Sequence, residues 1–158
     1  MNDLPAAALR FQAAAEAAGL RIQVTVMPAA TRTAAEAAAA CGCALAQIVK
    51  SLIFKGKETG RPYLFLAAGT NRVNEKVVAD LVGEAIVRPD ADFVRAATGF
   101  AIGGIPPLGH TTRLVPYIDA DLLQFGTVWA AAGTPHAVFA VDPKALRDAT
   151  GGGVITVT

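Results

Sequence analysis

A lysine interrupts an apolar stretch of the chain: Lys50 lies between Val49 and Ser51 in the segment QIVKSLIF. Burying an ammonium group without a partner is costly, so such a lysine needs either solvent or a ligand. One interpretation is a side chain that extends from a strand end into water. The other is a cation at a cleft, which suits a phosphate or a ligand carboxylate. On the second interpretation Lys50 is a candidate catalytic residue and Ser51 a candidate for substrate binding.

The segment TGFAIGGIPPLGH, residues 98–110, is rich in glycine and proline. Its glycines allow a backbone to approach a ligand closely, and its prolines restrict the loop and remove donors. The remaining N–H groups could bind a developing oxyanion, where a preorganised pair of donors is worth ~3 kcal/mol. A rigid connection between a helix and a strand is the alternative. The candidates here are Gly103, Gly104 and Pro107 for catalysis and Ile105 for substrate binding.

Two histidines and one polar cluster complete the set of candidate residues. His110 and His136 are the histidines of the chain, and no serine forms a recognisable nucleophile elbow with them. His110 follows the glycine-proline loop directly and is the substrate-binding candidate of the two. The polar cluster begins at Asn71, where a helix N-terminus could meet a phosphate; a solvated helix cap is the alternative. We count Asn71 as a candidate for substrate binding.

The composition limits the class of protein. A chain of 158 residues, 53% hydrophobic and 17% charged, suits one domain over residues 1–158. The net charge of +1 argues against a general DNA or RNA coat, so a nucleic acid would be held by a local basic cluster. The lack of a long apolar run predicts a cytoplasmic protein without membrane contact. The spacing of Cys41 and Cys43 fits neither a redox nor a zinc motif, so we expect no metal.

The elements that must position these residues follow from hydrophobic periodicity and helix caps. The predicted helical segments are 4–18, 33–42, 44–49, 74–82, 90–97 and a last helix from 142. The predicted strands are 22–26, 51–54, 63–67, 85–87, 114–118, 127–131, 137–141 and 154–157. Some strands form adjacent hairpin-like pairs and others are separated by helices, which favours a mixed α+β sheet over a doubly wound parallel one.

Four segments, in their order and spacing, resemble the YbaK and prolyl-tRNA synthetase editing-domain family. They are TRTAAEAAAACGC, QIVKSLIF, GTNRVNEKVVADLVG and TGFAIGGIPPLGH, and the resemblance covers nearly the whole chain. It implies an α+β fold in which helices surround a curved, mainly antiparallel central sheet. It also implies a free-standing hydrolase that acts in trans on mischarged tRNA, at the 3′ aminoacyl-adenosine end.

The resemblance assigns roles to individual residues. Lys50 matches the lysine that the family uses to bind the tRNA 3′ end, and Gly103 and Pro107 match the ends of its GxxxP motif. In this family the loop backbone holds the aminoacyl-adenosine, and water or a substrate group attacks. Because the ester is already activated, positioning and carbonyl polarisation suffice, and no cofactor is expected. Ala130 and Ala137 stand where the cysteine-specific branch has polar residues, which predicts a small apolar pocket with Ala130 contacting the substrate.

The expected substrate is tRNA(Pro) that carries a small wrong amino acid. Alanine comes ahead of serine, threonine and cysteine, and prolyl-tRNA synthetase is a candidate partner. Since one methylene changes binding by only ~1 to 3 kcal/mol, proline would have to be excluded by shape. Two alternatives stay open: a tRNA- or nucleotide-binding module of the same fold without turnover, and an esterase that acts on another small acyl substrate.

Overall fold

The computed structural model describes residues 4–158, which form the expected α+β fold; the first three residues of the predicted domain lie outside this range. Within residues 4–158 the α-helices are α1 (Ala6–Ala17), α2 (Ala34–Cys41), α3 (Glu75–Val82), α4 (Ala91–Thr98) and α5 (Pro143–Thr150). The strands are β1 (Thr25–Val26), β2 (Val49–Gly56), β3 (Pro62–Ala68), β4 (Ile86–Val87), β5 (Tyr117–Asp119), β6 (Val128–Ala131), β7 (Ala137–Val141) and β8 (Gly153–Ile155). Short 3-10 helices cover Leu45–Gln47 and Ala120–Gln124.

Side-chain caps explain where four of the helices begin. Thr33 and Glu36 form the predicted capping box at the start of α2. Asn74, Asp90 and Asp142 accept hydrogen bonds from the first-turn N–H groups of α3, α4 and α5. Each such cap is worth about 1 kcal/mol, so these starts are set by local sequence. Over the described residues, no helix combines the length and the apolar character needed to cross a membrane.

The strands form two sheets, which together are mixed and mainly antiparallel, as expected for this α+β fold. The larger sheet has the order β4-β2-β3-β5-β8, in which β4, β2 and β3 are antiparallel and β3, β5 and β8 are parallel. The smaller sheet, β1-β7-β6, is antiparallel. A single parallel bridge between Ile48 and Trp129 joins the start of β2 to β6. The two sheets therefore meet beside Lys50.

Several strand boundaries differ from the prediction because pairing, not periodicity, sets them. The predicted strands 22–26, 114–118 and 154–157 are replaced by the shorter β1, β5 and β8, whose residues pair with β7, with β3 and β8, and with β5, respectively. In contrast, β2 begins earlier than predicted because Val49 pairs with Ala68 and Lys50 pairs with Ala67. Lys50 thus lies inside a paired strand, where the backbone of β3 holds it in register.

The β2–β3 hairpin separates two hydrophobic clusters. On one face Leu64 and Leu66 join the main core, which includes Phe11 of α1. On the other face Phe65 and Ala67 pack with Val78 of α3. Each large side chain buried in this way contributes about 1.5–3 kcal/mol. Because successive side chains of a strand point to opposite faces, the neighbours at positions 50 and 51 are directed to different sides of this rigid hairpin.

Candidate active site

A cavity of about 250 Å³ opens between α2, the first half of β2, the glycine-proline loop and strands β6 and β7. The predicted residues that line it are Lys50, Ser51, Gly103, Ile105 and Ala130. Most of the other lining side chains are apolar, and the charged ones are Lys50 and Arg32. Sites that enclose drug-sized ligands span roughly 300–1,000 Å³, so this cavity suits a smaller group. It can take a short acyl group beside a cation.

Lys50 is held at the edge of the cavity by one hydrogen bond. Its Nζ donates to the backbone carbonyl of Asn71, which lies in the turn after β3. An ammonium has three N–H donors, and the other two have no partner among residues 4–158. Burial lowers the pKa of the Lys50 amino group, the Asp119 carboxylate raises it, and Arg72 lowers it. The side chain is therefore oriented by the protein but still able to bind a ligand.

Ser51 contributes a hydroxyl that lacks a partner. Its Oγ is buried and makes no hydrogen bond within the described part of the chain. An unsatisfied buried polar group costs about 1–3 kcal/mol, which a ligand that bonds to it would offset. Since Ser51 lines the cavity, this unpaired hydroxyl lies close to the space that a bound substrate would occupy.

The glycine-proline loop presents two unused N–H groups near the cavity. Gly104 N–H donates to the carbonyl of Ala101 at 3.1 Å and is therefore occupied. The N–H groups of Gly103 and Ile105 form no hydrogen bond within residues 4–158, and both residues line the cavity. Gly103 has φ +96°, a conformation that side-chain-bearing residues rarely adopt. The loop donors left for an oxyanion are thus those of Gly103 and Ile105.

Gly104 and Pro107 shape the loop without lining the cavity. Gly104 packs against the backbone of Thr134 in the turn between β6 and β7, and an added Cβ would lie 2.7 Å from its Cα and carbonyl carbon. Pro107 is buried, and its missing N–H leaves no donor to satisfy there. Both residues therefore help to set the loop conformation that presents Gly103 and Ile105.

His110 lies on the far side of the loop, away from the cavity that contains Lys50. It borders a separate cavity with Ala14 of α1 and Ala149 of α5. Its Nε2–H donates to the carbonyl of Pro106 at 2.7 Å, and its ring packs edge-on against Phe100. Burial lowers the pKa of this imidazole, and the bond to Pro106 opposes that shift. The geometry suits a residue that braces the loop rather than one that contacts the substrate.

A second cavity, of about 420 Å³, adjoins the first and shares Lys50 and Ser51 with it. Arg72 and Arg88 also line it, and its described lining contains no acidic side chain. Arg88 pairs with Glu75 at 3.7 Å, but both groups are exposed and such pairs are weak. Three cations along one cleft favour an anionic ligand that extends outward from Lys50.

Two features of the site have no clear signal in the sequence. Arg32 lines the cavity because the turn before α2 folds over the loop, where a Cβ on Gly103 would lie 3.1 Å from the Arg32 Cγ. Asp119 lies next to the Asn71 side chain because β5 pairs with β3. An aspartate before a short helix indicates a cap, and Asp119 does accept a hydrogen bond from the N–H of Asp121. Its link to Lys50 could not be inferred from that pattern.

Comparison with known proteins identifies the family. Residues 28–149 match the model of the aminoacyl-tRNA editing domain. The chain therefore belongs to the aminoacyl-tRNA editing domain family, which confirms the family expected from the four sequence motifs.

Three relatives agree with this assignment. The chain is 47% identical to a candidate trans-editing enzyme for prolyl-tRNA synthetase, whose crystal structure matches with a TM-score of 0.93 over 99% of both chains. It is 31% identical to the uncharacterised protein YwhH of Bacillus subtilis (strain 168) over 125 residues, 79% of each chain. It is 24% identical over 127 residues to EbsC of Enterococcus faecalis (strain ATCC 700802 / V583), named as a candidate Cys-tRNA(Pro)/Cys-tRNA(Cys) deacylase; the match covers 80% of this chain and 77% of EbsC. Family and relatives together support an aminoacyl-tRNA deacylase function.

Proposed function

We propose that this protein is a trans-editing deacylase that hydrolyses the ester of tRNA(Pro) carrying a small wrong amino acid, with alanine as the first candidate. The observation that carries the proposal is the small, mainly apolar cavity lined by Lys50 and by Gly103 and Ile105, whose N–H groups have no hydrogen-bond partner within residues 4–158. Serine, threonine and cysteine are the next candidate amino acids. We further propose that the chain acts as one editing domain in the cytoplasm, where tRNA is charged.

The geometry supports a mechanism that rests on positioning and electrostatics. The aminoacyl side chain would occupy the cavity beside Ala130, and the ester carbonyl oxygen would face the N–H groups of Gly103 and Ile105. Water adds to the carbonyl carbon, the bond to the ribose oxygen breaks, and that oxygen takes up a proton. The products are the free amino acid and a tRNA with a free hydroxyl. Donors aimed at the developing oxyanion lower the barrier without a catalytic triad.

The adjoining cationic cavity supports a nucleic acid as the carrier of the acyl group. Lys50 lies between the two cavities, so the same ammonium can hold the tRNA end while the acyl group enters the smaller cavity. Arg72 and Arg88 then lie where the phosphodiester chain would continue. In this scheme Lys50 is an electrostatic anchor and not a general base. A local cluster of this kind fits a chain whose net charge is only +1.

A deacylation panel tests the proposed function. Purified protein is incubated with tRNA(Pro) charged with alanine, serine, cysteine or proline, and the release of each amino acid is followed over time. We expect hydrolysis of Ala-tRNA(Pro) and little hydrolysis of Pro-tRNA(Pro). If none of the charged tRNAs is hydrolysed, the enzyme proposal fails. Binding without turnover would favour the binding module, and hydrolysis of free amino-acid esters but not of tRNA would favour the esterase.

Ala130 tests whether cavity size selects the amino acid. The change Ala130→Val places two methyl groups on a buried wall of the cavity. We expect the rate for Thr-tRNA(Pro) to fall about 10-fold more than the rate for Ala-tRNA(Pro), because one or two methyl groups discriminate by ~1 to 3 kcal/mol in an apolar pocket. The rates are measured under single-turnover conditions.

Ala140→Val is the matched control for this change. Ala140 lies opposite Trp129 in the β6–β7 ladder and outside the lining of the cavity. The Ala140→Val change adds the same volume to the same sheet, so we expect small and equal effects on the rates for Ala-tRNA(Pro) and Thr-tRNA(Pro). Equal losses on both substrates for Ala130→Val would show that this wall does not contact the amino acid.

A further inference from the structure

Asp119 is a buried carboxylate that accepts three hydrogen bonds. It is 2% exposed at the end of β5. Its Oδ2 accepts from the N–H of Ala68 at 3.0 Å and from the side-chain amide of Asn71 at 2.8 Å. Its Oδ1 accepts from the N–H of Asp121 at 3.0 Å. A buried charge is costly unless hydrogen-bond donors are fixed around it. The three donors meet this need, and their bonds to the carboxylate tie β5 to the turn after β3.

Asn71 connects this carboxylate to the cavity. Its side-chain amide also donates to Asp121 Oδ2 at 2.7 Å, so both amide N–H groups are bound to carboxylates. Its backbone N–H donates to the carbonyl of Ala68 at 2.9 Å, which closes the turn. Side chain and backbone N–H are thus fixed, and the remaining backbone group, the carbonyl, accepts from Lys50 Nζ.

The position of the Lys50 ammonium therefore depends on a chain of contacts that starts in the core. Lys50 Nζ bonds to Asn71, and Asn71 is held by Asp119 and Asp121. The charged groups that act on Lys50 are Asp119, which raises its pKa, and Arg72, which lowers it. Without the carboxylate, burial and Arg72 would act on the ammonium unopposed.

We propose that Asp119 is a positioning residue that holds the Lys50 ammonium in place through Asn71. The proposal rests on the proposed function of Lys50 as the anchor for the substrate. Asp119 does not line either of the two cavities that contain Lys50, so it acts through Asn71 and not by contact with the substrate.

Two substitutions separate this role from a general structural one. Asn71→Ala removes the amide that Asp119 and Asp121 hold but keeps the carbonyl that binds Lys50. We expect deacylation of Ala-tRNA(Pro) to fall about 10- to 100-fold, since a displacement near 1 Å costs about 100-fold. The thermal unfolding midpoint should fall, but the protein should stay folded at the assay temperature because Asp119 keeps two of its three donors. Asp119→Asn removes the charge and one acceptor. We expect a similar loss, and the alkaline limb of the activity profile should move to lower pH because Lys50 then loses its proton earlier.

The matched control is Asp80→Asn. Asp80 is an exposed carboxylate of α3 that lines neither cavity containing Lys50, and its side chain makes no hydrogen bond within residues 4–158. We expect activity and pH profile close to those of the wild type. If Asp119→Asn does not fold, Asn71→Ala decides the question. A folded Asn71→Ala with wild-type activity would overturn the proposal.

An activity-independent measurement keeps this proposal distinct from the proposed function. The ¹³Cε signal of Lys50 in lysine-labelled protein, assigned with Lys50→Arg, reports the titration of that amino group by NMR. We expect Asp119→Asn to lower the Lys50 pKa. An unchanged Lys50 titration in folded Asp119→Asn would refute the positioning role. If the wild-type protein hydrolyses no charged tRNA in the deacylation panel, but Asp119→Asn still shifts the Lys50 titration, only the proposed function is refuted.

Discussion

Replacement of Lys50 by alanine is expected to abolish deacylation of mischarged tRNA while leaving the fold intact. The ammonium lines both the smaller cavity and the cavity that contains Arg72 and Arg88, so its loss removes the proposed anchor of the tRNA end from both. Loss of the anchor would misplace the ester relative to the loop, and since a displacement near 1 Å costs about 100-fold, we expect at least that loss here. The measurement is the single-turnover rate on Ala-tRNA(Pro), with circular dichroism and thermal unfolding as checks of folding.

The fold should tolerate this change because Lys50 is half-buried and its strand pairing with Ala67 uses only backbone groups. The Asn71 carbonyl loses its donor, which costs about 1 kcal/mol if water does not replace it. Lys57→Ala in the exposed turn after β2 is the control, and it should keep the wild-type rate. Retained turnover in Lys50→Ala would remove Lys50 from the mechanism.

Gly104→Ala is expected to impair catalysis strongly although it adds only one methyl group. The new Cβ would lie 2.7 Å from the Cα and carbonyl carbon of Thr134, and these backbone atoms cannot move aside as a side chain would. The loop must shift instead and carry the N–H groups of Gly103 and Ile105 with it. A displacement near 1 Å costs about 100-fold in rate. We expect a loss of that size, together with about 1–3 kcal/mol of destabilisation from overpacking.

The control for this change is Gly126→Ala, in the connection before β6. Its added Cβ would meet nothing within 4 Å, so activity and stability should stay near wild type. The two variants are compared by single-turnover rates at saturating enzyme and by denaturant unfolding. A Gly104→Ala protein that is destabilised yet catalyses at the wild-type rate would show that the loop backbone does not stabilise the transition state.

Much of the fold could be predicted because the relevant contacts are local. Four helices begin at a capping side chain that accepts a hydrogen bond from an N–H group two or three residues later. These caps are Thr33, Asn74, Asp90 and Asp142, so a few adjacent residues determine each helix start. The β2–β3 hairpin was also predictable, since its two apolar strands are joined by a short turn. The parallel pairing of β5 with β3 was not predictable, because it joins residues about fifty positions apart in the chain.

The candidate site divides in the same way. Lys50 could be recognised as a candidate because a cation within an apolar strand is unusual in any fold. The glycine-proline loop could be recognised because its composition excludes regular secondary structure. The sequence did not predict which loop residues face the cavity and which face the opposite side of the loop. Ile105 faces the cavity, whereas His110 braces the opposite side through the Pro106 carbonyl. Packing against α1 and α5 decides this, and sequence spacing does not encode it.

The local sequence determined the helix starts, the hairpin that carries Lys50 and the loop that ends at Pro107, because each depends on neighbouring residues. The tertiary structure decided that two sheets meet beside Lys50 and that Arg72 and Arg88 line one cleft. It also decided that a buried Asp119 holds the turn to which the Lys50 ammonium is bound. These relations join residues that are far apart in the sequence, and only long-range burial and strand pairing bring them together.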